Sequence, residues 1–264
     1  MVYVENQFGR TSKLRWRAVE KDGKTILQDV YFTAPYKIMS PFEHRDGSIS
    51  VMQLTASAGV MAGDVAEYDF TVESGARIEF LSQSFEKIHK MDEGKAVRKT
   101  NISVAAGAQL CYHPLPVIPF ANSSFENETQ VELADDTAEF EYYEIIACGR
   151  SARGERFAYD TFLSRLHIRR AGKLIFCDNT MFFPKQLPME QIGFYEGFTH
   201  TGNFIFCSRG KDESWAGEVR ELLKQDPDVE GGVTRLESSD YLVKIFGTQA
   251  QKLQDLATNI SIIN

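Results

Sequence analysis

Three stretches of this chain repeat one short pattern, a turn followed by a strand. They are VESGARIEFLS from Val72, VAAGAQLCYHP from Val104 and DDTAEFEYYE from Asp135. Superposing Ala76, Ala108 and Ala138 puts Ile78, Leu110 and Phe140 in one row and Phe80, Tyr112 and Tyr142 in the next. A looser fourth copy, RAGKLIFCD, adds Leu174 and Phe176 to those rows. An apolar period of two marks strands with one buried face. A unit this short, recurring every 30 or 32 residues, must cover its apolar face with its neighbours. The expected fold is therefore mainly β, as stacked hairpins or a β-helix-like, solenoid-like body. The competing explanation is coincidence, because any all-β chain contains turns followed by alternating apolar residues.

Alternation of this kind continues to about residue 208, and there the period changes. Trp215, Val219, Leu222 and Leu223 share a helical face ahead of Pro227, which predicts a helix over 213–225. A second helix is predicted over 248–259, with Gln251 as a capping-box partner and Leu253, Leu256 and Ile260 as its apolar face. The expectation is one domain over 1–264, with a β-rich body to about 208 and a helix-containing part beyond it.

The segment CYHPLPVIPF, residues 111–120, interrupts this pattern with three prolines. Proline fixes φ and lacks a backbone donor, so neither a helix interior nor a central strand is expected. Disordered proline tracts are polar, and this one is apolar. Pro114 ends the second repeat strand, and residues 115–120 read as an ordered, extended crossover. Ile118 and Phe120 belong either to the core or to a protein-binding surface.

Composition excludes several classes. The 264 residues are 43% hydrophobic and 25% charged, enough to bury a core, and the net charge is -8. An acidic balance argues against nucleic acid and against an anionic membrane surface. The opening residues hold no apolar leader core, and no run is long enough to span a bilayer, so a cytoplasmic protein is expected. Cys111, Cys148, Cys177 and Cys207 form no CxxC pair and read as free buried thiols, and the five histidines show no metal-binding spacing.

Signs of catalysis are sparse. SAGVMAGD, residues 57–64, lacks the lysine of a phosphate loop and reads as a turn closed by the Asp64 carboxylate. QSFEKIHK, residues 83–90, offers Ser84 and His89, but no nucleophile elbow accompanies them and a solvated loop is the simpler reading. GRSARGE, residues 149–155, reads as an arginine–carboxylate network. One further row bears on function. Two residues beyond Phe80, Tyr142 and Phe176 stand Ser82, Glu144 and Asp178, while Pro114 breaks the row after Tyr112. A carboxylate facing a dry core costs several kcal/mol unless paired or hydrated. These groups therefore lie either just past the rim of the core or along a hydrated internal passage with Asp64.

In their order along the chain, SAGVMAGD, SQSFEKIHK, PLPVIPFANSSF, YYEIIACGRSARGE and LHIRRAGKLIFCDN resemble one family, the urease accessory proteins UreD/UreH, in the form nearest the UreH branch. They span roughly residues 40–179. Ala58 and Ala62 depart from the glycine-rich first loop of that family, while Asp64 is retained. The resemblance implies a β-helix-like fold and a non-catalytic scaffold that bridges apo-urease and a UreF-type subunit, which recruits a UreG-type GTPase. It further implies no permanently bound cofactor, with Ni²⁺ in transit to urease. On that footing Asp64, Glu144 and Asp178, with Ser82, are the expected nickel passage, since oxygen donors hold a borderline ion loosely. Leu253, Leu256, Ile260 and Ile262, together with Ile118 and Phe120, are the expected partner surface. The alternatives are an all-β hydrolase using Ser84 and His89, and a plain β-rich adaptor with no metal role.

Overall fold

The structure is a computed structural model and describes residues 11–263. Residues 1–10, which bear on a leader segment, and Asn264 lie outside them. In chain order the strands begin with β1 (Thr11–Lys21), β2 (Lys24–Phe32), β3 (Tyr36–Ile38), β4 (Phe42–Glu43), β5 (Ile49–Thr55) and β6 (Val65–Val72). They continue with β7 (Arg77–Ser82), β8 (Glu86–Ile88), β9 (Ala96–Val104), β10 (Gln109–His113), β11 (Val117–Pro119) and β12 (Ser124–Leu133). Next come β13 (Glu139–Ala147), β14 (Thr161–Arg170), β15 (Lys173–Phe182) and β16 (His200–Cys207). The chain ends with α1 (Glu213–Gln225), β17 (Val229–Arg235), β18 (Tyr241–Gly247) and α2 (Ala250–Ile262). No helix among the described residues is long and apolar enough to cross a membrane.

These strands form two sheets. A seven-stranded sheet runs β15-β14-β12-β9-β6-β1-β2, and an eleven-stranded sheet runs β17-β18-β16-β13-β10-β7-β5-β3 with β4, β8 and β11 beside that path. From β5 to β13 the chain crosses repeatedly between them, and neighbours within each sheet are parallel. The rows read from the sequence are rows of strand register: Leu110 pairs with both Ile78 and Phe140, and Tyr112 with both Phe80 and Tyr142. All six side chains are buried in one core with Trp16, Phe70, Val104 and Leu133. Phe80, Tyr112 and Tyr142 stack in succession, with centroids 5.1 and 5.8 Å apart.

The fourth copy behaves differently. In the first three, four or five residues link the strands, and the chain passes from one sheet to the other. In RAGKLIFCD only Ala171 and Gly172 intervene, both with positive φ (50° and 76°). Two such residues make a tight hairpin whose twist returns the chain antiparallel beside the strand it left. Hence β15 pairs with β14 inside the seven-stranded sheet, and Leu174 is exposed. Beside the third copy the row is continued by β16, where Cys207 pairs with Phe140 and Ile205 with Tyr142, and beside the first by β5, where Ile49 pairs with Ile78 and Val51 with Phe80.

The proline segment also departs from expectation, because β11 lies between β8 and β13. Its prolines fall where only acceptors are required. Pro116 O accepts from Glu86 N at 3.0 Å, and just past the last proline Phe120 N donates to Ile88 O at 2.9 Å. Phe120 is buried, its ring 4.9 Å from His89 and 4.1 Å below the Arg150 guanidinium. Arg150 is itself paired with Glu155, which accepts from Ala121 N at 3.3 Å. GRSARGE therefore clamps the proline segment from outside. Phe120→Ala is expected to lower stability by about 3–5 kcal/mol, as buried aromatic truncations do. Ile118→Ala, at a half-buried position, is expected to cost about half as much. Urea melts of the two variants check both values.

Beyond β16 the chain adds both helices. Helix α1 starts on an Asp212 cap that accepts from Trp215 N at 3.0 Å and buries Trp215, Ala216, Val219 and Leu223. Two strands that the periodicity missed, β17 and β18, extend the larger sheet between the helices. Helix α2 begins at Ala250 with no side-chain cap, and Gln251 bonds Asp255 instead of closing a capping box. Leu253, Leu256, Ala257 and Ile260 pack on the outer face of this sheet against Tyr143, Ile145, Val243 and Ile245. The fit is close: a Cβ on Gly247 would lie 2.6 Å from Leu253 Cδ2.

Candidate functional site

The apolar rows between the sheets give way at one end to a polar layer. On the larger sheet the row beyond Val51 and Phe80 is Gln53 and Ser82, and the row beyond Tyr142 and Ile205 is Glu144 and Asn203. On the smaller sheet the facing row runs Ala66, Arg98, Asn127 and Ser164. These side chains bond both across the gap and along each sheet. Ser164 Oγ donates to Glu144 Oε1, Asn203 Nδ2 to Glu144 Oε2 at 3.2 Å, Arg98 Nε to Asn127 Oδ1 at 3.0 Å, and Gln53 Nε2 to Tyr68 Oη at 3.0 Å. Polar groups too numerous to bury dry keep the sheets apart here, and a cavity of about 570 Å³ opens between them.

The 57–64 loop forms part of its wall. Gly59 takes φ 151°, and a Cβ there would lie 2.4 Å from Lys87 O, so only glycine lets this loop lie against β8. Val60 and Ile88 are joined by a bridge. Asp64 closes the loop by accepting from Met61 N at 2.8 Å, and it lines the cavity with Ser82, Glu86, Arg98 and Glu144.

Charge in the cavity divides into two kinds. Glu86 and Arg98 are ion-paired and mostly shielded from water, the guanidinium 5.5 Å from the Phe125 centroid. Burial alone would lower Arg98, but the Glu86 charge holds its pKa raised. This pair cancels itself, which leaves Asp64 and Glu144 as carboxylates with no salt-bridge cation among the described residues. Burial pushes Glu144 above the usual carboxylate range, against the hydrogen bonds from Ser164 and Asn203, and the charge of Asp178 adds to the rise. The surrounding phenols stay neutral: burial pushes Tyr36 and Tyr112 up to about 12.

Three of the four residues expected along a passage, Asp64, Ser82 and Glu144, thus line one cavity. Asp178 does not, because the hairpin at Ala171 and Gly172 turns its strand into the smaller sheet. There it pairs with Lys244 at 2.9 Å and accepts from Thr180 at 3.3 Å. The partner surface needs a larger correction: Leu253, Leu256, Ile260 and Phe120 are buried within the chain, Ile118 is half-buried, and Ile262 is exposed. Ser84 is exposed at the cavity mouth, while His89 directs Nε2 to Ala58 O at 3.0 Å. No hydrogen bond joins Ser84 and His89 among the described residues. Arg98 escaped the sequence reading, although a signal exists, since Ala96, Arg98, Thr100 and Ile102 alternate inward on β9. Glu86 lies in the QSFEKIHK run, whose simpler reading as a solvated loop hides it.

Comparison with known proteins agrees with the motif order. Residues 10–263 match the UreD urease accessory protein family. A urease accessory protein UreD of Acetivibrio thermocellus is 40% identical over 255 residues, covering 96% of this chain and 97% of that protein. A urease accessory protein UreH of Helicobacter pylori is 33% identical over 257 residues, covering 97% and 96%. That of Helicobacter hepaticus is 37% identical over 241 residues, covering 91% and 93%. With a family match across nearly its whole length, the chain belongs to the UreD urease accessory protein family.

Proposed function

We propose that this protein serves urease maturation as a non-catalytic, cytoplasmic scaffold. It bridges apo-urease and an accessory complex of UreF and UreG type, and Ni²⁺ in transit crosses the cavity between its sheets. The observation that supports the passage is the polar layer holding Asp64, Ser82 and Glu144 beside a self-neutralised Glu86–Arg98 pair. Two carboxylates and neutral hydroxyls attract a divalent ion, and oxygen donors release a borderline metal more readily than thiolates or several imidazoles. The ion is cargo, so weak and exchangeable contacts suit it.

Co-expression with a urease operon lacking this gene tests the reading, with restored urease activity as the result that supports it. Glu144→Gln keeps the shape and removes the charge, and burial already disfavours that charge, so the fold is expected to tolerate it. Urease activation is expected to drop several-fold while co-purification with the accessory subunits is unchanged. Wild-type activation by both Glu144→Gln and Asp64→Asn would end the passage reading, and failure of the gene to restore activity would end the scaffold reading.

A further inference from the structure

The outward rows of the same repeat strands converge on a second site, on the far side of the larger sheet from the cavity. Register places Glu79, Cys111 and Glu141 in one row across β7, β10 and β13, and His113 lies two residues beyond Cys111 on the same face. Strand alternation sends these four side chains out, while Phe80, Tyr112 and Tyr142 point in. One ligand atom each from Cys111, His113 and Glu141 lies within 4.8 Å of the others.

We propose that Cys111, His113 and Glu141 form an exchangeable site for a borderline divalent transition ion, with Glu79 as the residue that orients the imidazole. His113 Nδ1 lies 3.2 Å from Glu79 Oε1, and Nε2 faces Glu141 Oε2 at 3.4 Å with no hydrogen-bond partner among the described residues. A carboxylate on one ring nitrogen that leaves the other free is the arrangement that fixes a metal-binding histidine tautomer. Glu79 is held in turn by Ser50 Oγ at 2.8 Å, and Ser50 by His44 Nε2 at 2.7 Å. The ring is also stacked on Tyr143, with centroids 3.8 Å apart and planes 13° apart. Glu141 accepts from Ser261 Oγ on α2 at 2.9 Å, so the end of that helix roofs the site. His113 and Glu141 are nearly covered, whereas the Glu79 side chain is 37% exposed and marks the way in.

One sulfur, one nitrogen and one oxygen donor select zinc, cobalt or nickel over magnesium or calcium. Three protein ligands also leave a coordination position open for a further group. On binding, the Cys111 Sγ–H bond breaks, the proton passes to solvent and the sulfur lone pair bonds the ion. The site shares no ligand with the cavity and requires no partner protein, so it stands or falls apart from the nickel-passage reading.

The test uses the purified full chain with Co²⁺ as a spectroscopic probe and Zn²⁺ in equilibrium dialysis. Wild type is expected to show a sulfur-to-cobalt charge-transfer band that Cys111→Ser abolishes and that Asp64→Asn with Glu144→Gln leaves intact. Zinc affinity is expected to fall at least about tenfold in His113→Gln and about 10- to 100-fold in the second-sphere variant Glu79→Gln. Far-UV circular dichroism confirms the fold of Cys111→Ser, which changes one atom. A band that survives Cys111→Ser would implicate the exposed Cys177 and overturn the proposal. Absence of the band in wild type, or its loss in the cavity variant alone, would overturn it equally.

Discussion

Arg98→Met is expected to cost about 3–5 kcal/mol of folding stability, more than any other single substitution in the cavity. The loss comes from what remains behind. Glu86 faces the cavity wall with a side chain only 19% exposed, and its cation is the Arg98 guanidinium. Removing that cation strands a carboxylate in a region whose other neighbours are Tyr36, Tyr68 and Tyr112. It also takes a donor from Asn127, the link between Arg98 and Ser164 in the polar layer. Against a typical total of about 5–15 kcal/mol, such a loss is large. A urea melt is expected to show a lower midpoint with an unchanged slope. Adding Glu86→Gln removes the stranded charge and is expected to recover part of the loss. An unchanged midpoint for Arg98→Met alone would show that water in the cavity already solvates Glu86 fully.

Deleting residues 253–264 is expected to cost the chain its solubility, a larger effect than loss of one partner. Leu253, Ala257 and Ile260 are fully covered, and Leu256 nearly so, against Tyr143, Ile145, Val243 and Ile245. At about 1.5–3 kcal/mol for each large side chain buried, their removal approaches the stability of a whole domain. It also bares an apolar sheet face that invites aggregation. The Tyr143 hydroxyl would lose its acceptor, Ala257 O at 2.9 Å. The measurement is the soluble fraction on expression, followed by gel filtration. A truncated chain that stays folded and monomeric but no longer captures an accessory subunit would restore α2 to the role of a docking element.

Each of these predictions rests on a fact that residue patterns alone do not express, whether a side chain faces its own protein or something else. Periodicity identified the apolar face of α2 correctly, yet a helix docked on its own sheet and one awaiting a partner have the same period. The outcome was set by β17 and β18, strands that the pattern missed. Val229 and Arg235 flank a glycine-rich, weakly alternating run in β17. Its pairing with β18 is dictated by a neighbour rather than by intrinsic preference.

The sequence by itself determined the rows. Ile78, Leu110 and Phe140 are superposable because parallel strands in register must present like residues at like positions, and that is local information written at a fixed interval. It also determined that Ser82 and Glu144 lie just beyond those rows, because alternation along a strand is a property of the backbone. Only the tertiary structure decided that Asp178 lies elsewhere, since two left-handed residues at 171 and 172 reverse the chain within one sheet where four or five would have carried it across. Tertiary structure alone also set Arg98 against Glu86 and brought Glu79 to His113. Those groups belong to different strands, and the distance between them follows from how two twisted sheets close over the polar groups they cannot bury dry.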